Sequence, residues 1–309
     1  MMLETLIQEL IERRSIEATD EYSLEYLRSH FNELGLPVEI DGTALVLLEV
    51  DSLFNKEFID SHLRAILDIH PHSIEIHPVI DSTNDYLKQA VTKSDLPLIC
   101  LAEYQTKGHG RRGNFWNSTY GKDICASVAW PIPHGYRVTG VESLTIALSL
   151  AETLERVGLS GVEVKWPNDI YVKGRKIAGI LLEQIHINGR SILIVGVGLN
   201  LMEHAAASDQ VNFAATSIGD EIGRHDRNLV TAMLLEDLLK TLGELTPQLN
   251  EELMIRWRER DYLDGKEITI KQDVVVRGSY LGIDEHGRLL LAVGDKEIKI
   301  ISGHITEIL

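Results

Sequence analysis

The stretch from Gln105 to Trp116 reads Gln-Thr-Lys-Gly-His-Gly-Arg-Arg-Gly-Asn-Phe-Trp, and its residue types suit a phosphate better than any other ligand. Glycines let the backbone approach a ligand closely, and the paired guanidiniums of Arg111 and Arg112 add fixed charge with forked donors. Further along, Lys165-Trp166-Pro167-Asn168-Asp169 sets an ammonium and an amide within five residues. Lys176 opens the apolar run Ile177-Ala178-Gly179-Ile180, where a lysine is normally a solvated edge residue unless a carboxylate or phosphate comes to it. Taken singly, each segment has an ordinary structural explanation: an exposed basic turn, a core tryptophan, a capping aspartate. Taken together they suggest an enzyme that handles a nucleotide.

Gly108 to Gly113 also fits the dinucleotide fingerprint G-x-G-x-x-G. That fingerprint opens a helix and is followed by an acidic ribose contact about 20 residues on. Here Asn114-Phe115-Trp116-Asn117-Ser118 follows, a poor helix, and Asp123 comes too early, so a dinucleotide fold is rejected.

The elements that must position these segments fall into three groups. Residues 1–70 show helical stripes over Leu3–Arg14 and Ser23–Leu34, with Ser23 as N-cap and Gly35 as a stop. An Asp41-Gly42 turn then joins two short apolar runs, the second reaching Val50. This outlines a winged-helix-like unit, but the gap between Arg14 and Ser23 is too short for the extra helix of a DNA-reading helix-turn-helix. Phe58–Leu67 is a short helix leading onward, followed by Pro71. Residues 71–264 alternate strands (Ile74–Ile80, Leu98–Tyr104, Ile124–Trp130, Val162–Trp166, Ile170–Val172, Ile177–Gln184, Ile192–Leu199) with helices over Tyr86–Val91, Leu144–Val157, Leu229–Leu245 and Leu249–Arg260. Residues 203–227 are polar and could gate a ligand. Residues 265–309 hold short strands at 267–270, 274–281, 289–293 and 297–301, a small all-β module. The predicted class is α+β.

Composition narrows the function further. The chain has 309 residues, 44% of them hydrophobic, and a net charge of −17. Residues 1–70 carry 15 acidic against 5 basic residues, a net of −10, so the end that could read DNA repels it most. No stretch approaches the roughly 20 apolar residues of a membrane span, and the start lacks the basic region of a signal peptide. Two cysteines, Cys100 and Cys125, cannot build a disulfide framework or a structural zinc site, so a reducing cytoplasm is expected.

In order, Asp81-Ser82-Thr83-Asn84, Ala102-Glu103-Tyr104-Gln105, Gly108–Gly113 with Trp116, Lys165–Asp169, Arg175–Leu181 and Gly196-Val197-Gly198-Leu199-Asn200 resemble the biotin–protein ligases. The long bifunctional ligase/repressor type is the most similar, over about residues 75–309. The resemblance implies a mixed-sheet, class II-synthetase-like catalytic domain over 71–264 and an SH3-like barrel over 265–309. It implies biotin and ATP as substrates, Mg²⁺ arriving with ATP rather than held by a side-chain cluster, and biotinyl-5′-AMP as intermediate. Biotin would pass to a lysine of a carboxyl carrier domain, and the adenylate-bound chain would form a homodimer.

By position, Ser82, Thr83, Asn84 and Gln105 would hold the ureido ring, and Gly108, His109, Gly110, Arg111, Trp116, Lys176, Gly179 and Gly198 would complete the biotin site. Arg112, Lys165, Asn168, Asp169 and Asn200 would meet the nucleotide. Arg111, Arg112 and Lys176 would be catalytic. The family usually has arginine where His109 stands, which removes a charge near the adenylate, and often an aromatic where Cys125 stands, which would open the biotin pocket. Two other readings remain: a lipoate or octanoate ligase, which would need an apolar pocket, and a repressor that uses a ligase fold to sense biotin.

Overall fold

A computed structural model describes residues 3–19, 21–33, 36–48, 53–67, 73–92, 95–202, 214–272 and 274–309. The first unit contains α1 (Leu3–Arg13), β1 (Ser15–Glu17), α2 (Leu24–Glu33), β2 (Val38–Asp41) and β3 (Ala44–Leu47). The strands form an antiparallel sheet in the order β1-β3-β2. Both amphipathic helices and the hairpin fall where the sequence predicts them. Ser23 Oγ accepts from Tyr26 N at 3.2 Å, the expected cap, and Gly42 takes the positive φ of 60° that the turn needs. β1 was not foreseen, because three residues carry no readable alternation. Among the described residues no helix lies between α1 and α2. The predicted stop at Gly35, the end of the apolar run at Val50, and Pro71 lie outside the described residues.

The central unit comprises α3 (Lys56–Ile66), β4 (Ser73–His77), α4 (Thr83–Ala90), β5 (Leu98–Ala102), β6 (Ile124–Ile132), α5 (Val141–Val157), β7 (Val162–Lys165), β8 (Asp169–Val172), β9 (Arg175–Ile187), β10 (Arg190–Leu199), α6 (Ile218–Ile222), α7 (Arg227–Gly243) and α8 (Glu251–Arg260). Seven strands form one mixed sheet in the order β4-β5-β6-β10-β9-β8-β7, parallel only between β4 and β5. Side chains alternate faces along a strand, and β10 shows the consequence. Leu193, Val195, Val197 and Leu199 join the core that Leu144, Leu148 and Leu154 of α5 and Leu235 and Leu239 of α7 complete. Ile192 and Ile194 face the other way, against Leu87 and Val91 of α4 and its end. That second face continues as Gly196 and Gly198, where the missing side chains admit Asn84 and the Trp116 ring. Ile59 and Leu63 of α3 lie in this central core, so α3, inside the 1–70 unit by sequence, packs with the unit that follows.

The last unit contains β11 (Glu267–Lys271), β12 (Val275–Ile283), β13 (Leu289–Val293), β14 (Lys296–Ile300) and β15 (His304–Ile308), in the sheet order β14-β13-β12-β11-β15. β15 was not predicted; it follows β14 so closely, through Ile301-Ser302-Gly303, that the two read as one segment. Ile268, Ile270, Leu289 and Leu291 join the central core. Trp166 Nε1 donates to Gly287 O at 3.0 Å, fixing this module beside the Lys165–Asp169 turn.

Candidate active site

Gly196 and Gly198 of β10 floor a cavity of about 150 Å³. Its inner end is a polar network set by the start of α4. Ser82 caps that helix through its side chain, which brings Thr83 and Asn84, both buried, onto the glycine face. An ideal Cβ on Gly196 would lie 2.4 Å from Asn84 Oδ1, so only glycine admits the amide there. Gln105 Oε1 accepts from Thr83 N at 2.8 Å and from Thr83 Oγ1 at 3.1 Å. Ser127 on β6, opposite Gly196 in the ladder, lies 2.6 Å from both Thr83 Oγ1 and Asn84 Oδ1. Asn84 Nδ2 donates outward to Glu183 at 2.9 Å.

The glycine loop folds back as a tight hairpin. Gly110 N donates to Asn114 O at 2.7 Å and Trp116 N to Gly108 O at 2.9 Å. A Cβ at position 108 would meet Trp116 O at 2.7 Å, so this close return requires glycine. Arg112 sits in left-handed backbone with φ 59°, an uncommon place for a side chain of its size. The loop opens no α-helix, consistent with the rejection of a dinucleotide fingerprint. Trp116 lies against the floor: an ideal Cβ on Gly198 would be 2.3 Å from its ring, and one on Gly179 3.3 Å. Its Nε1 is covered and has no hydrogen-bond partner among the described residues.

Cations gather at the outer end. Arg111 donates to Asn168 Oδ1 at 3.3 Å, Lys176 Nζ lies 2.7 Å from Asp169, and Lys165 Nζ reaches Tyr171 OH at 3.3 Å. Burial pulls the Lys165 ammonium below its ordinary value, and Lys176 and Lys266 push it further while Asp169 opposes. Burial, then the neighbouring Arg112, lowers Arg111. Burial lowers His304 as well, with Arg112 and Lys165 adding to it. Burial is the largest cause in each case, and the neighbouring cations add a smaller push that a bound anion would offset. Among the described lining residues Asp169 is the only carboxylate.

Of the predicted site residues, Ser82, Thr83, Asn84, Gln105, His109, Gly110, Arg111, Arg112, Trp116, Lys165, Asn168, Asp169, Lys176, Gly179 and Gly198 line this one cavity. Gly108 shapes the loop behind it. Asn200 also lies outside the lining: its Nδ2 donates to Thr216 O at 2.9 Å and its O accepts from Ile218 N, tying residues 216–218 to β10. The predicted gate overlaps residues 203–213, outside the described residues. Cys125 does not open onto the cavity; it is wholly covered, with Ser118 and Gln105 against its sulfur, and burial pushes its thiol up to about 12.

Three residues escaped the sequence reading. Ser127 and Glu183 interrupt apolar strands, a signal that was present but unread. His304 enters from β15, whose position no local pattern gives.

Comparison with known proteins bears on the family and the fold. Residues 76–200 match the Biotin/lipoate A/B protein ligase family, and residues 265–305 the Biotin protein ligase C terminal domain. The chain is 34% identical to the Bifunctional ligase/repressor BirA of Escherichia coli over 221 residues, 71% of this chain and 69% of that one. It is 32% identical to the Biotin--[acetyl-CoA-carboxylase] ligase of Mycobacterium tuberculosis over 244 residues, 74% of this chain and 86% of that one. A solved structure of the biotin protein ligase from Aquifex aeolicus, in complex with biotin and ATP, superposes with a TM-score of 0.65. It covers 76% of this chain and 98% of its own, at 23% identity, and so speaks for the fold. The chain belongs to the biotin protein ligase family.

Proposed function

We propose that this cavity joins biotin to ATP, giving biotinyl-5′-AMP and pyrophosphate, and then hands biotin to a lysine of a carboxyl carrier domain. One observation carries the reading: a neutral donor-and-acceptor set and a cluster of cations occupy opposite ends of one cavity. Gln105 Oε1 already holds two donors, so its Nε2 is the amide end that can donate, beside the Cys125 sulfur it already meets. Asn84 Oδ1 and Thr83 Oγ1 remain as acceptors. A cyclic urea needs this complement, a donor for its carbonyl and acceptors for its N–H groups. An octanoyl or lipoyl group offers nothing to such a set.

At the outer end, the biotin carboxylate attacks the α-phosphorus and the bond to the bridging oxygen of pyrophosphate breaks. Two anions must meet, and more charge develops on the leaving group. Arg111, Arg112 and Lys176 would offset that charge, with Lys176 exchanging Asp169 for the substrate carboxylate and then the anhydride. The carrier amine next attacks the acyl carbon, the carbon–oxygen bond to phosphate breaks, and AMP leaves. No nucleophilic side chain is required. Asp169, a hard oxygen donor, would be the lining side chain suited to hold an Mg²⁺ brought with the nucleotide, and that ion would supply charge neutralisation at the phosphates.

Lys165 and Asn168 would serve the nucleotide, while Asn200 would act by bracing residues 216–218. The N-terminal unit, acidic and short of one helix, serves as a brace rather than a DNA reader in this account. A cytoplasmic enzyme that dimerises when the adenylate is bound completes the proposal. Incubation with biotin, ATP, Mg²⁺ and an apo carrier domain tests it. Biotin appears on the carrier, and Lys176→Ala and Arg111→Ala each slow adenylate formation about 10²- to 10³-fold. An unlabelled carrier defeats the reading, and near-normal rates in the variants show the roles to be misassigned.

A further inference from the structure

Glu183 on β9 lies outside the cavity lining, yet it touches the residue that decides what the inner pocket accepts. Its Oε2 receives Asn84 Nδ2 at 2.9 Å. A carboxylate accepts and never donates, so the Asn84 amide has one stable orientation: NH₂ outward to Glu183, Oδ1 inward over Gly196. Without that partner the amide could turn, and either end would fit the same outline. Glu183 is itself held. Lys88 Nζ donates to its Oε1 at 2.7 Å and to Asp85 Oδ1 at 2.8 Å, one turn of α4 beyond Asn84. The ammonium satisfies both carboxylates where Asp85, His109 and Glu183 bring possible ligand atoms within 4.8 Å of one another. A resident cation there makes Lys88 the counter-charge and leaves no call for a metal.

We infer that Glu183, held by Lys88, is a positioning residue that fixes Asn84 with its carbonyl facing the cavity and thereby makes the pocket selective for an N–H of the cyclic urea. The inference rests on the proposed biotin site. The chain of contacts runs Lys88–Glu183–Asn84–Ser127–Thr83–Gln105. Ser127 has a single hydroxyl proton and two acceptors, Thr83 Oγ1 and Asn84 Oδ1. When a ureido N–H takes the Asn84 carbonyl, Ser127 can donate to Thr83 without loss. If Asn84 turned, its NH₂ would meet that same N–H donor against donor, although the Ser127 hydroxyl could accept it while donating to Thr83. Burial makes such an unmade bond expensive, because Asn84 is 3% exposed and Ser127 is fully buried.

The test measures adenylate formation by wild type, Glu183→Leu, Glu183→Gln and Lys88→Met, with biotin and with biotin methylated at a ureido nitrogen. Wild type prefers biotin strongly, since the methylated nitrogen has no proton to give. In Glu183→Leu the KM for biotin rises about 10- to 100-fold, the scale of one lost hydrogen bond to a charged group, while the KM for ATP and kcat stay within about twofold. Preference for biotin over its methylated form falls by at least about tenfold. Glu183→Gln, whose amide oxygen can still accept from Asn84, recovers part of that preference, and Lys88→Met falls between it and Glu183→Leu. A preference unchanged in every variant overturns the inference, because a merely structural Glu183 would weaken both ligands alike. Equal losses toward biotin and ATP overturn it too. Should Glu183→Leu fail to fold, Glu183→Gln and Lys88→Met carry the same comparison. Failure of the biotin reading itself looks different: wild type then activates neither compound.

Discussion

Gly198 shows how much of this site consists of what is absent. With no side chain at 198 or 179, the floor is bare backbone, and the Trp116 ring rests on it. A methyl group at 198 would intrude to 2.3 Å of that ring. Gly198→Ala therefore weakens biotin binding by about tenfold or more, roughly 1.4 kcal/mol, through overpacking. Calorimetry against biotin reads this directly; unaltered affinity would mean that neither Trp116 nor ligand uses the floor. His304 gives a residue-scale prediction in pH. Burial, Arg112 and Lys165 hold its imidazole below the ordinary 6.5. An acyl-phosphate anion bound beside those cations raises it toward or above that value. A group whose pKa rises on binding favours the complex as pH falls through the bound-state value, so affinity for the adenylate increases from pH 7 to 5.5 and binding takes up protons. NMR titration of His304 with and without ligand checks the sign; a downward shift contradicts it.

Elements deliver these residues through a few buried ties. Arg227, at the first turn of α7, is fully buried and pairs with Glu103, which is 4% exposed. It also donates to Asp123 O at 2.9 and 2.5 Å and stacks on the Phe54 ring at 3.6 Å. Glu103 accepts from Phe54 N at 2.7 Å and stands two residues before Gln105. Glu103→Gln leaves a buried guanidinium short of its counter-charge and costs about 3 to 5 kcal/mol in urea unfolding; a loss under about 1 kcal/mol would show the pair to be dispensable. The strands of the central sheet were legible because apolar runs alternate with turn residues: Lys173-Gly174 takes φ of 50° and 74° at the β8–β9 turn, as its composition suggested. α5 ends at Gly158, as expected. β1, α6 and β15 were not legible, since elements of three to five residues owe their form to their neighbours. The same limit governs the site. Ser82, Gln105 and Lys176 stand in motifs, whereas Ser127, Glu183 and His304 matter only through contacts across strands and between units.

At the scale of the whole molecule, the central and C-terminal units line the cavity and the N-terminal unit packs behind its loop. The core of the N-terminal unit, built on Leu6, Leu10, Leu27 and Phe31, extends to Tyr104 and Tyr120 of the central unit. Tyr104 immediately precedes Gln105, and Tyr120 follows Trp116 by four residues, so that unit grips both stems of the glycine loop. The C-terminal unit closes the opposite side with Gly303, His304 and Ile305 in the cavity lining. Surface charge favours a ligand-handling role as well, for the net −17 of the chain contrasts with the local cluster of arginine and lysine at the cavity. A crystal grown with biotin and ATP tests the central claim most directly. The account predicts biotinyl-5′-AMP with its ureido ring against Asn84 and Gln105 and its phosphate within about 3 Å of donors from Arg111, Arg112 or Lys176. An adenylate bound elsewhere, or with its ureido ring among the cations, would contradict it.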